Sequence, residues 1–279
     1  MLCYVDDILL ILHDPRATLQ ALVTSVFKLK DDEIEEPEMY LGAQLGKMTV
    51  NELECWTMSA EKDVVTSEKN IEDKLAKRRL RLPTKCYTPL PSDYTKSEME
   101  TSAELKSDGV LAYQEMIGVL RWAVKLRRVN ILLEVALMSI HPAMPREGHL
   151  QPLYRIFVYM KAHPKRKIAF DSQHPMINER MFKKCDWQNF YRDVMEAIPG
   201  DMPVPLGNPM STHCFVVDAS SSSDHANGQS QTDILIFCNK APIIWFNKRQ
   251  NTVDASTFGS KFQAMKKAVE LTEALQYKL

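Results

Sequence analysis

The sequence predicts an α+β fold, and three observations carry that prediction. Short apolar runs of strand length lie at both ends of the chain, at 2–5 and 8–12 and again at 214–217, 234–238 and 243–246. Between them, apolar residues recur at helical spacing through 109–128, 131–140 and 147–162. The stretch 199–209, with four prolines and two glycines, separates the helical middle from the second group of strands.

Composition narrows the class. The chain has 279 residues, 45% hydrophobic and 25% charged, in the range of soluble globular proteins with a sizeable core. Its 35 Lys and Arg against 36 Asp and Glu give a formal net charge of -1, which excludes a globally basic nucleic-acid binder. Contact with nucleic acid would then be confined to a local basic patch. The six cysteines, Cys3, Cys55, Cys86, Cys185, Cys214 and Cys238, include no CxxC pair and suggest neither zinc nor a disulfide framework. The longest apolar run, 8–12, is too short to span a bilayer, and the N-terminus lacks the layout of a signal peptide. A soluble, intracellular chain with no membrane contact is expected.

The elements follow in order. The runs at 2–5 and 8–12 flank Asp6-Asp7 in the pattern of a hairpin with those two acids at its tip, and the chain is expected to begin in mid-element. Asp14-Pro15 opens a helix over 15–29, with Leu19, Leu22, Val23, Val26 and Phe27 on one face. Strands are expected at 39–48 and 54–58, then a helix N-capped by Ser59. That helix runs into the basic stretch Lys74, Lys77, Arg78, Arg79, Arg81 and Lys85, and 83–109 is loop-like. A closing helix is expected from 258 to 277. The resulting organisation is 1–82, a helical 83–170, a linker 171–210, and a final domain 211–279.

Adjacent carboxylates at a rigid hairpin tip can hold a divalent cation, because two hard oxygen ligands converge there. Two such cations can clamp the attacking and leaving oxygens of an in-line displacement. A solvated polar turn is the competing reading, although two-residue hairpins favour Asn-Gly or Asp-Gly over Asp-Asp. Likewise, Lys77, Arg78, Arg79 and Arg81 suit either phosphate contact or a solvated helix C-terminus. Tyr113, Trp122, Phe157 and Tyr159 read as core packing before base stacking, and His149 as a capping or structural residue. Asp218, before a Ser-rich loop, reads in isolation as a turn former.

Several stretches resemble one family. Tyr4-Val5-Asp6-Asp7 resembles the Tyr-x-Asp-Asp box of reverse transcriptases. Tyr40-Leu41-Gly42 resembles the Tyr-Leu-Gly that follows in copia-type elements. Tyr113 through Trp122 is similar to the pattern Tyr-x-x-x-Ile-Gly-x-Leu-x-Tyr, and His149 with Tyr159-Met160-Lys161 is similar to the segment after it. Phe215-Val216-Val217-Asp218-Ala219, Ile243-Ile244-Trp245 and Lys248-Arg249-Gln250 resemble the first and third strands of the copia-type ribonuclease H domain, with Ser256-Thr257 opening its first long helix.

The resemblance implies a truncated reverse-transcriptase palm hairpin in 1–82, a helical thumb and connection in 83–170, and an incomplete ribonuclease H-like α/β domain in 211–279. It implies RNA-directed DNA synthesis and cleavage of hybrid RNA, with magnesium on Asp6 and Asp7 and on Asp218, and with an RNA–DNA hybrid or template-primer as partner. The family's third polymerase carboxylate lies upstream of the hairpin, and its third nuclease carboxylate lies on the strand after the helix. Lys261-Phe262-Gln263-Ala264 stands where the family has Glu-Tyr-x-Ala, and Asp233 stands where it carries Gly. An ammonium near Asp218 would pair with it in place of the metal. The chain is therefore expected to be an inactive fragment, or else a catalytically dead unit that binds hybrids.

Overall fold

The computed structural model describes residues 2–4, 7–10, 14–25, 36–77, 81–82, 86–91, 101–178, 180, 186, 189, 192, 212–224, 229–254 and 256–276. Its helices and strands confirm the mixed α+β class. The expected linker at 199–209 lies outside the described residues.

Strands β1 (Leu2–Tyr4) and β2 (Asp7–Leu9) pair antiparallel, with Tyr4 opposite Asp7. Helix α1 (Pro15–Ser25) starts as its sequence dictates. The Asp14 carboxylate accepts the Ala17 N–H at 3.1 Å, and Pro15 occupies the first helical position, where no N–H is needed.

A four-stranded antiparallel sheet follows in the order β3 (Met39–Tyr40), β4 (Ala43–Val50), β5 (Leu53–Ser59) and β6 (Lys167–Phe170). Tight two-residue turns join its first three strands. Leu41 and Gly42 have φ of 52° and 81°, and Asn51 and Glu52 have 47° and 67°. Positive φ at both central positions matches the right-handed strand twist, and glycine adopts it without a Cβ clash. The expected strand at 39–48 is therefore split by this turn.

Helix α2 (Glu61–Lys77) starts two residues after Ser59, whose hydroxyl accepts the Glu61 N–H at 3.2 Å. Helices α3 (Ser107–Lys125), α4 (Leu132–Met138) and α5 (Glu147–Ala162) follow, with a 3-10 turn over Val129–Ile131. The His149 ring Nδ1 accepts the Arg146 N–H at 3.1 Å, so this histidine caps α5 from within.

One hydrophobic core joins Ala43, Val64, Ile71, Tyr113, Leu120, Met138, Leu153 and Phe157. It runs across the expected boundary at 82/83, and β6, from the end of the expected helical segment, completes the sheet begun at β3. The described elements from β3 to β6 thus share one core, because α2, α3 and α5 each bury an apolar face against the others.

The C-terminal part is a meander of β7 (Thr212–Asp224), β8 (Gln229–Cys238) and β9 (Ala241–Arg249), followed by α6 (Thr257–Gln276). Ile234, Ile236 and Ala268 make a second small core between α6 and the sheet. The sheet's opposite face meets the helical part. Trp245 of β9 donates its indole N–H to the Val124 carbonyl at 3.1 Å, and the Arg127 guanidinium lies 4.8 Å from its ring centroid.

Candidate nucleic-acid interface and carboxylate positions

The hairpin register changes the expected arrangement of the first acids. Because Tyr4 pairs with Asp7, the residues between the strands are 5 and 6, and Asp7 is the first ladder position of β2. The predicted tip of Asp6 and Asp7 is thus corrected by one residue. Asp6 itself lies outside the described residues. Register has this effect because side chains alternate with a period of two.

The Tyr-Leu-Gly stretch has a structural reason. Gly42 supplies the left-handed position of the β3–β4 turn, and a Cβ there would sit 3.5–3.8 Å from Asp63, Trp122 and Leu126. The turn is thereby seated against α2 and the end of α3.

Helix α3 is the best-formed surface. Its inner face buries Tyr113, Met116, Ile117, Leu120 and Val124, and the Tyr113 hydroxyl donates to the Met138 carbonyl at 2.8 Å. The residues of the Ile-Gly-x-Leu pattern that point inward are core, as helical spacing predicts. The outer face is different. Leu111 is 65% and Trp122 49% exposed, Arg121 and Lys125 are exposed, and a Cβ at Gly118 would meet nothing within 4 Å. At 100° per residue, Leu111, Glu115, Gly118, Trp122 and Lys125 fall on one stripe.

Of the expected basic run, Lys77 ends α2 and is exposed, Arg81 is exposed, and Arg78 and Arg79 lie outside the described residues. Lys74 instead pairs with Glu115 of α3. A groove of about 370 Å³ between α2 and α3 is lined by Lys74, Lys77, Leu111, Glu115, Met116 and Tyr154. It adjoins the outer stripe, so Lys77 and the stripe lie on neighbouring surfaces.

In the C-terminal sheet, Val216 pairs with Ile234, but the next pair is Asp218 with Asp233. This bulge adds one residue to β7 and reverses its alternation. Ile234 and Ile236 face α6. Thr232 does as well, tied through the Gln250 amide, which donates to the Thr232 hydroxyl at 2.9 Å and to the Ser260 carbonyl at 2.8 Å. Asp233 alternates to the other face, where the Asn247 amide donates to it and Glu134 of α4 lies near. Asp218 stands opposite Asp233 in the backbone ladder, and Lys261 is exposed on α6. The Asp218 side chain lies outside the described part of the structure, and the expected pairing with Lys261 falls there with it.

Asp6 lies outside the described residues, as do the side chains of Asp7 and Asp218, and the expected magnesium positions fall there with them. Among the described residues no three His, Cys, Asp or Glu side chains converge to hold a metal. Glu134 and Asp233 are carboxylates that do approach each other. Burial foremost, with Asp233 adding to it, pushes the Glu134 carboxyl above the usual range. This junction, with Trp245 and Arg127, was not foreseen from sequence. Its signal is slight, since Glu134 lies at an ordinary exposed-looking helix position.

Among the described residues, no helix is long and apolar enough to cross a membrane. No family model matches the chain, and neither the curated proteins nor the solved structures offer a match.

Proposed function

We propose that the chain derives from the reverse transcriptase and ribonuclease H region of a copia-type retroelement, and that by itself it grips RNA–DNA hybrid or template-primer without polymerising or cleaving it. An intracellular setting goes with this reading. The observation that carries the binding is the outer stripe of α3. A glycine open to solvent lets a sugar–phosphate backbone come close, an exposed Trp122 offers a stacking or groove-packing face, and Arg121 and Lys125 supply charge. Lys77 and Arg81 would extend the track past the α2–α3 groove.

Two further features support the family reading. The strand order β7-β8-β9 with α6 laid over β7 agrees with the three strands and first long helix expected from the resemblance. The absence of catalysis is supported by Lys261 in the place of the family's acid.

The test is fluorescence anisotropy of a labelled RNA–DNA hybrid over a salt series, with wild type, Arg121→Glu and Lys125→Glu. Each lost phosphate contact reduces the slope of log K against log salt by about 1. Affinity that is absent at low salt, or unaltered in both variants, refutes the reading. Magnesium-dependent primer extension or hybrid cleavage by the wild-type chain would overturn the claim that it is inactive.

A further inference from the structure

The connection between α2 and α3 carries a polar contact that neither the core nor the nucleic-acid reading uses. Its segment 86–91 forms neither helix nor strand, with Cys86 buried and Tyr87 and Thr88 exposed. Of the chain's 15 prolines, Pro89 alone follows a Ser or Thr, and the residue before it is Thr88. Pro89 and Pro91 disfavour helical backbone at Thr88 and Leu90.

Arg155 of α5 holds this segment from both ends. Its carbonyl accepts the Cys86 thiol at 3.3 Å. Its side chain reaches Thr88, where Nε donates to the carbonyl and Nη2 to the hydroxyl oxygen, both at 3.0 Å. The Thr88 hydroxyl donates in turn to the Leu90 carbonyl at 2.7 Å. Nε and Nη2 are the side-by-side donors with which a guanidinium grips a phosphate through two bonds. Here they face a neutral carbonyl and a neutral hydroxyl, and among the described residues no carboxylate pairs with Arg155.

We propose that Thr88 is a phosphorylation site for a proline-directed protein kinase, and that Arg155 is the receptor for the phosphate it gains. In that step the Thr88 oxygen attacks the γ-phosphorus of magnesium ATP and a new O–P bond forms. The bond from that phosphorus to the bridging oxygen breaks, ADP leaves, and the hydroxyl proton passes to the kinase's carboxylate. The modified oxygen can no longer donate to Leu90. Three anionic oxygens instead stand beside Arg155, and charge-assisted bonds to them are roughly twice as strong as the neutral ones they replace. Phosphorylation therefore fastens 86–91 more firmly onto α5.

The full chain incubated with a purified proline-directed kinase and magnesium ATP provides the test, with a synthetic peptide spanning 80–96 as the control substrate. Intact-mass and fragment spectra should show one phosphoryl group, on Thr88, and none in Thr88→Val or Pro89→Ala. Two readouts then report on Arg155. By phosphorus NMR, the phosphate's second ionisation should come at lower pH in wild type than in Arg155→Gln, because the guanidinium favours the dianion. By hydrogen exchange, the Tyr87, Thr88 and Leu90 amides should slow several-fold on phosphorylation in wild type and not in Arg155→Gln. Circular dichroism checks that each variant is folded, and Arg155→Lys, which keeps the charge without the fork, replaces Arg155→Gln if that one is not. The site is overturned if the kinase leaves the folded chain or the peptide unmodified, or if Thr88→Val takes up phosphate as wild type does. The receptor is overturned if the phosphate ionises at the same pH with and without Arg155.

Discussion

Truncating Trp245 should uncouple the C-terminal sheet from the helical core, and the structure allows the cost to be apportioned. The indole N–H donates to the Val124 carbonyl, which also accepts the Arg127 N–H at 3.1 Å. Loss of the indole donor therefore leaves no orphaned acceptor, and Trp245→Phe should cost only about 0.5–1 kcal/mol. Trp245→Ala removes more. The ring packs against the helical core from a partly buried position and carries the Arg127 guanidinium on its face. Cation–π loss of about 1 kcal/mol adds to a truncation cost that is below the 3–5 kcal/mol of a fully buried aromatic, for about 3 kcal/mol in total. Native-state hydrogen exchange read by residue is the assay. In Trp245→Ala the amides of β8 and β9 should lose protection while those of α3 and α5 keep theirs, and Trp245→Phe should fall between. Equal loss in both regions, or no loss in either, would refute the argument that this side chain is the coupling element.

Three further outcomes are expected. Gly118→Ala should stabilise α3 by up to about 1 kcal/mol, since a Cβ there meets nothing, and should at the same time weaken hybrid binding; higher Tm with unaltered affinity would remove Gly118 from the contact. Glu52→Gly should raise thermal stability by up to about 1 kcal/mol, because Glu52 holds φ of 67° in a turn that favours glycine at its second position; a lowered Tm would contradict this. Glu134 binds its proton more tightly folded than unfolded, because burial and Asp233 raise its carboxyl. The stability it permits is thus full below the ordinary carboxylate value and is lost as pH rises from there through the raised value. Glu134→Gln should be more stable than wild type at neutral pH, with a flatter Tm profile across that window, measured by calorimetry in a pH series.

Much of the fold could be read from local pattern. The bounds of α5 match the expected 147–162, and Asp14-Pro15 and Ser59 mark two helix starts because capping is a matter of near neighbours. Strand β6 escaped because Lys167–Phe170 is four residues long, and its pairing with β5 bridges more than a hundred residues. The junction escaped for the same reason: nothing near Trp245 in sequence indicates that its N–H reaches Val124. The candidate carboxylates were legible as residue types but not as geometry. A one-residue difference in register moves Asp7 off the hairpin tip, and a one-residue bulge turns the ladder at Asp218. Both are invisible to composition and spacing.

Placing at position 261 the acid of the family the sequence resembles should therefore fail to create a nuclease. Lys261→Glu puts a carboxylate on α6, but α6 covers the face of the sheet that carries Thr232, Ile234 and Ile236. In the backbone ladder Asp218 stands opposite Asp233. A shared cation needs every oxygen ligand within about 2.0–2.6 Å of it, and among the described residues no three acidic, His or Cys side chains converge to hold one. Isothermal titration with magnesium should show no gain in binding for Lys261→Glu over wild type, and hybrid cleavage should stay at background. Deleting Val217, the extra residue of the bulge, would leave position 218 opposite Asp233, so this change alone does not alter its ladder partner. Magnesium binding should therefore stay absent in Lys261→Glu, in the deletion and in the two combined. Binding in Lys261→Glu alone would show that the register argument is wrong.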